Sequence, residues 1–145
     1  MIVYLDASAL VKRYVAEEGS DDVAALLALA EVVGTAAISR AEVVAALARA
    51  VRMKVLVKDQ AHSAVQVFSA EWDDIVRIQL TESLISRAAT LAWEHTLRGY
   101  DAVHLSSALT WQELLGDSVT VATYDHQLWE AARNSGLAVW PQVLG

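Results

Sequence analysis

The sequence predicts an α/β fold, a mostly parallel sheet with helices packed on both faces. Two observations carry that expectation. Short apolar runs rich in β-branched residues alternate with longer segments of helical periodicity, the pattern of crossover units in a parallel sheet. One helical segment, from Asp101 onward, is apolar nearly all round, which places it at the centre of the molecule.

Residues 2–5 form the first strand, a buried run of Ile, Val, Tyr and Leu. Leu10, Val11, Tyr14 and Val15 follow with helical spacing up to Gly19. Ser20 is placed to cap a second helix, with Asp21 and Asp22 in its first turn, where the helix dipole favours anions. Val23, Leu26, Leu27 and Ala30 make its inner face. Residues 35–38 read as the second strand. A helix from Ser39 carries Val44, Leu47, Ala48, Val51 and Val55, and another spans about residues 59–71. Residues 75–78 make a weak third strand. Thr81 caps a helix with Leu84, Ile85, Ala88, Leu91 and Ala92 on one face, ended by Gly99. The apolar helix runs from Asp101 to Gly116 and leads to a strand at 119–122. Asp125 begins the last helix, Gly136 ends it, and residues 137–140 are the final strand before Pro141.

The chain has 145 residues, which fits one domain over residues 1–145. No linker, repeat or low-complexity tract divides it. Hydrophobic residues are 55% of the total, too many for a disordered polar chain, and the apolar surplus points to self-association as a homodimer. The absence of cysteine removes disulfide scaffolds, thiolate metal sites and cysteine nucleophiles, and fits a cytoplasmic protein. The longest apolar run, residues 23–30, is far short of the roughly 20 residues a membrane helix requires. With 18 acids against 11 Lys and Arg, the net charge is −7, which excludes a simple basic coat for nucleic acid.

Four acids stand at expected strand-to-helix junctions on one edge of the sheet: Asp6, Glu42, Asp101 and Asp125. The carboxyl edge of a parallel sheet is its ligand crevice. Carboxylates gathered there repel one another unless a cation joins them, and oxygen-only donors select magnesium or manganese. Three of these acids also have a structural explanation, whereas Asp6, an acid ending an apolar buried strand, is costly there without a partner. Ser39 to Glu42 spells a capping box, and Asp101 and Asp125 are suited to helix N-caps. Capping explains them singly but not why every junction on that edge is acidic.

The motifs around these acids resemble those of PIN-domain ribonucleases. Val3-Tyr4-Leu5-Asp6-Ala7-Ser8-Ala9-Leu10 resembles the opening motif and Ser39-Arg40-Ala41-Glu42 the second. Leu97-Arg98-Gly99-Tyr100-Asp101-Ala102-Val103-His104-Leu105 resembles the third, the most specific, and Thr123-Tyr124-Asp125-His126-Gln127-Leu128 the fourth. Their order and spacing are those of VapC-type toxins. The resemblance implies a PIN-like three-layer α/β/α sandwich and an endoribonuclease dependent on Mg2+ or Mn2+. Asp6, Glu42, Asp101 and Asp125 would be its catalytic metal ligands, with the hydroxyls of Ser8 and Thr123 beside them, where capping and turn formation are equally open roles. It also implies an antitoxin partner, a toxin homodimer, and transfer RNA or ribosomal RNA as substrate.

Other readings stay open at this level. A PIN nuclease of RNA processing or DNA flap cleavage would act without an antitoxin, and an acidic-pocket module would bind without catalysis. A phosphoacceptor domain needs a late lysine, whereas the last here is Lys58. Arg40, Arg49, Arg52, Lys54 and Lys58 crowd a segment whose one acid is Glu42. A solvated helix face explains the run, but Arg40, Arg49 and Arg52 are also placed to guide an RNA backbone. His104, three residues after Asp101 on the same helix face, reads as a packed histidine, as do His62 and His95. The five Trp read as core or interface residues.

Overall fold

The computed structural model describes all residues, Met1–Gly145. Five strands form one wholly parallel sheet: β1 (Ile2–Leu5), β2 (Val32–Ala36), β3 (Val76–Ile78), β4 (Val119–Ala122) and β5 (Ala138–Trp140), in the order β3-β2-β1-β4-β5. The helices are α1 (Ala7–Leu10), α2 (Ser20–Leu29), α3 (Ser39–Arg52), α4 (Lys58–Glu71), α5 (Glu82–His95), α6 (Gly99–Leu115) and α7 (His126–Asn134).

Side chains of β1 alternate between two cores, as the pleat dictates. Val3 and Leu5 join the core under α1 to α4, with Leu10, Val23, Leu26, Val43, Leu47, Phe68 and Trp72. Tyr4 points to the opposite core under α5 to α7, with Leu91, Leu105, Leu109, Trp111, Val121 and Leu128. The result is the expected three-layer sandwich, with α6 central and nine of its residues buried. The chain builds outward from β1 through β2 to β3, then returns to the other side of β1 with β4. That reversal puts the switch point, and the crevice of such sheets, at the carboxyl ends of β1 and β4.

Several boundaries differ from expectation. The second strand is Val32–Ala36, because β1 pairs with it from Ile2↔Val32 to Tyr4↔Gly34. Ile38 already has helical dihedrals at the start of α3. The inner face of α3 is Val43 and Leu47. Val44 is exposed, and Val55 lies beyond the helix end. Gly19, not Ser20, is the N-cap of α2; the Ser20 hydroxyl donates to the Val15 carbonyl. The periodic stretch after Asp6 condenses to the single turn of α1 and a 3-10 turn over Val11–Arg13. Thr96, in a left-handed conformation with φ 53°, ends α5, whereas Gly99 opens α6. Asp101 is therefore the third residue of α6, and it follows a helix rather than a strand. Trp72, Trp111 and Trp129 are buried as core residues, while Trp93 is exposed.

Gly34 is where the sheet and α6 come closest. A Cβ there would lie 2.6 Å from the edge of the buried Trp111 indole. Gly34→Ala must displace a rigid ring and should cost about 1–3 kcal/mol, the usual penalty of overpacking. Urea unfolding checks this, with Gly99→Ala as the control, because a Cβ at Gly99 meets nothing within 4 Å.

Candidate active site

Asp6 ends β1 and caps α1. Its Oδ1 accepts from the Ala9 amide at 3.1 Å and from the Ser8 hydroxyl at 2.7 Å. Its Oδ2 accepts from the Thr123 hydroxyl at 2.6 Å. The β1–β4 register pairs Leu5 with Ala122, so Asp6 and Thr123 are the next residues out on neighbouring strands. The two hydroxyls reach further. Thr123 Oγ1 accepts from the Asp125 amide, and Ser8 Oγ accepts from the Tyr124 amide, both at 3.0 Å. Capping, turn formation and carboxylate support thus fall on the same few atoms.

Glu42 arrives on α3. Thr35 at the end of β2 donates to the Leu5 carbonyl and shares a hydrogen bond with the Ser39 hydroxyl, each at 2.6 Å. These contacts seat the start of α3 against β1. Ser39 is thereby turned inward, so no capping box forms, and Glu42 instead accepts from His104 Nε2 at 2.7 Å. His104 Nδ1 lies 2.7 Å from the hydroxyl of the fully buried Tyr4. Burial pushes the Tyr4 phenol well above its ordinary pKa, so it keeps its proton. An ionised carboxylate only accepts, so Nε2 donates to Glu42, while Nδ1 and the Tyr4 hydroxyl share the second hydrogen bond. A chain of three polar groups thus runs from the core to the Glu42 carboxylate.

Asp101 and Asp125 share one cation. Asp101 is buried in the first turn of α6, and its Oδ2 accepts from Arg98 Nε at 2.8 Å. Asp125 caps α7, with Oδ1 accepting from the Leu128 amide at 2.9 Å, and its Oδ2 accepts from Arg98 Nη2. Burial raises the Asp101 carboxyl, with the Asp125 and Asp6 charges adding to it and Arg98 opposing; the rise persists despite the guanidinium. Burial likewise raises Asp6, against His104 and the hydroxyl donors.

All four acids line one cavity of about 540 Å³, together with Ser8, Arg49, Arg98 and His104. As the side chains lie, no three acidic or histidine groups are close enough to share one ion. Arg98 fills the interval between two of them. Of the three arginines singled out from the sequence, Arg49 lines the cavity. Arg40 sits over the Trp72 ring, 6.0 Å from its centroid, and Arg52 lies at the far end of α3. His104 is buried, as its reading as a packed histidine expects, but it also holds Glu42, and Tyr4 and Arg98 join the site with no sequence reading of their own. The spacing of His104 from Asp101 was a usable signal; the roles of Tyr4 and Arg98 depend on partners distant in the chain.

The PIN domain profile matches residues 3–134 of this chain. The chain is 36% identical over 144 residues to ribonuclease VapC49 of Mycobacterium tuberculosis (strain ATCC 25618 / H37Rv), spanning 99% of this chain and 97% of that protein. Ribonuclease VapC45 of strain CDC 1551 / Oshkosh gives the same values. Ribonuclease VapC46 of strain H37Rv is 31% identical over 137 residues, 94% of this chain and 95% of that one. In three dimensions the chain is similar to FitAcB from Neisseria gonorrhoeae, with TM-score 0.65 and 18% identity over 97% of this chain and 98% of that one. It is also similar to FitAB bound to a DNA fragment, with TM-score 0.62 and 21% identity over 99% and 98%. At these identities the structural likeness speaks for the fold.

A carboxyl raised in the folded state favours folding while protonated, and that contribution fades as pH rises through its folded pKa. Ionised Asp101 is therefore a liability near neutral pH. In buffer free of divalent ions, Asp101→Asn should raise Tm at pH 7. The gain should shrink as pH falls through the raised carboxylate range of Asp101 toward its ordinary value. Thermal melts across that interval check both the sign and the window.

Proposed function

The chain belongs to the PIN-domain family, and from that premise we propose that it is a divalent-metal-dependent endoribonuclease, the toxin of a VapBC-type toxin–antitoxin pair. The observation that carries the reading is the meeting of Asp6, Glu42, Asp101 and Asp125, from four separate elements, in one cavity at the carboxyl edge of the sheet. The donor set suits a hard cation: all its oxygens come from carboxylates, with Asp6 raised by burial and Asp101 by burial and the neighbouring acid charges. These four residues would hold Mg2+ or Mn2+. When bound, the ion supplies a polarised water and positive charge beside a transferring phosphoryl group.

The remaining chemistry belongs to the chain itself. Ser8, Thr123 and the Ala9 amide lock the Asp6 carboxylate in one orientation, so it need not reorganise during the reaction. His104 holds one oxygen of Glu42 and leaves the other as the acceptor facing the cavity. Arg49 adds a cation at the wall, where it can meet an RNA phosphate. The reaction is in-line attack of water on a phosphodiester. The bond to the 3′-oxygen breaks, that oxygen takes a proton, and the products carry 5′-phosphate and 3′-hydroxyl ends. Transfer RNA or ribosomal RNA is the proposed substrate. A cognate antitoxin and a homodimer complete the reading, and Trp93 and Leu114, 89% and 80% exposed, are apolar side chains left for such contacts. No helix of the chain is long and apolar enough to cross a membrane.

Asp6→Asn should abolish magnesium-dependent RNA cleavage while the circular dichroism spectrum stays native. Glu42→Gln retains an oxygen for the His104 bond but loses the charge, so cleavage should fall by at least about a hundredfold, the scale of a general acid–base or electrostatic contribution, with little change in Tm. Near-parental cleavage by either variant removes the assignment.

Arg49 and Arg52 give a paired test of the basic segment. In an Asp6→Asn background, Arg49→Glu should flatten the salt dependence of RNA affinity by about 0.7–0.9 in logarithmic slope for each phosphate that Arg49 neutralises. Arg52→Glu, remote from the cavity, should leave the slope unchanged. Equal slopes for parent and Arg49→Glu would return Arg49 to a solvated helix face.

A further inference from the structure

We propose that Arg98 is an internal competitor of the metal ion: it closes the acidic site in the resting protein, and a divalent cation can engage Asp125 only after Arg98 has left. This rests on the reading of the cavity as a metal-dependent nuclease centre.

Asp125 sets the constraint. Its Oδ1 is committed to the Leu128 amide, because it caps α7. Its Oδ2 is the oxygen not engaged by the helix start, and Arg98 Nη2 binds it. The same guanidinium uses Nε to hold Asp101 Oδ2. One planar fork therefore spans acids from two helices, the bidentate geometry that Arg provides and Lys does not. A metal ion and a guanidinium at the same oxygens exclude each other by charge and by space.

The remaining acids are held differently. Asp6 is bound by hydroxyl and amide donors, and Glu42 by the imidazole of His104. Arg98 is the guanidinium salt-bridged to acids of the cluster, whereas Arg49 lines the cavity without such a contact. Its place in the chain makes displacement feasible. It is the extended residue before α6, its side chain is half exposed, and its guanidinium lies 4.8 Å from the centroid of the Tyr100 ring at the cavity wall. Tyr100 contacts the guanidinium while it bridges the two acids, and because the Arg98 side chain is half exposed it can turn out to solvent without unfolding any element.

The test is calorimetric titration of Mg2+ into the full chain stripped with EDTA, for the parent, R98Q, R98K and Asp6→Asn. Affinity should rise about tenfold in R98Q, within the range typical of coupled equilibria. R98K should fall between, because an ammonium cannot bridge both acids. In the parent, the Arg98 Nε–H resonance, assigned by its loss in R98Q, should shift and exchange faster with water on saturation. Equal affinities in the parent and both Arg98 variants, with an unmoved resonance, overturn the proposal, while loss of binding in Asp6→Asn would then leave the metal reading standing. No Mg2+ binding by any variant overturns both. Should R98Q lose its native spectrum, R98K and the parent resonance decide alone.

Discussion

Four carboxylates meet at the carboxyl edge of β1 and β4, and their mutual repulsion in a partly buried cavity is the constraint to which the surrounding structure answers. Each acid is met by a different device. Asp6 is wrapped by Ser8, Thr123 and the first turn of α1. Asp101 and Asp125 share Arg98, and Glu42 takes the imidazole of His104. The cluster therefore folds with each carboxylate hydrogen-bonded from within, and Arg98 as the one guanidinium bound to it. Burial still dominates at Asp6 and Asp101, which keep raised carboxyls despite these donors. That residual cost is one that a hard cation would relieve.

The two cores are not neutral scaffolding for this edge. Tyr4 lies on the α5–α7 side of β1, and its hydroxyl is the buried end of the chain leading through His104 to Glu42. On the other side, Leu5 packs under α1 to α4, while its carbonyl accepts from Thr35 and helps seat the start of α3. Alternation along one short strand thus fixes site groups on both faces. The same economy recurs at Thr123, whose hydroxyl both donates to Asp6 and accepts from Asp125. Loss of the Tyr4 hydroxyl reaches Glu42 at the cavity through two hydrogen bonds.

An acidic chain that handles RNA needs its positive charge near the chemistry, not spread over the surface. The net charge of −7 is concentrated in part at the cavity, where four of the acids lie. Arg49 and Arg98 are the cations that line the same cavity. Arg40, by contrast, stacks over Trp72, and Arg52 lies off the cavity at the end of α3. The basic segment legible in the sequence is therefore divided along α3, with Arg49 at the cavity and Arg40 and Arg52 toward the two ends of the helix.

The sequence by itself determined the layered α/β class, the strands at residues 2–5 and 119–122, the central apolar helix, and the identity of the four acids. Those features rest on local periodicity and on motif spacing, which a linear chain displays directly. It misplaced β2 and the end of α5, because strand pairing with β1 and the left-handed Thr96 settle those boundaries. It also left Glu42 divided between capping and chemistry. Tertiary structure resolved the geometry by turning Ser39 toward Thr35 and bringing His104 to Glu42. The other decisive partnerships, Tyr4 with His104, Thr123 with Asp6, and Arg98 with Asp125, join residues far apart in the chain. Strand order and the rotation of each helix against the sheet create those contacts, and neither quantity is written in any local stretch of residues.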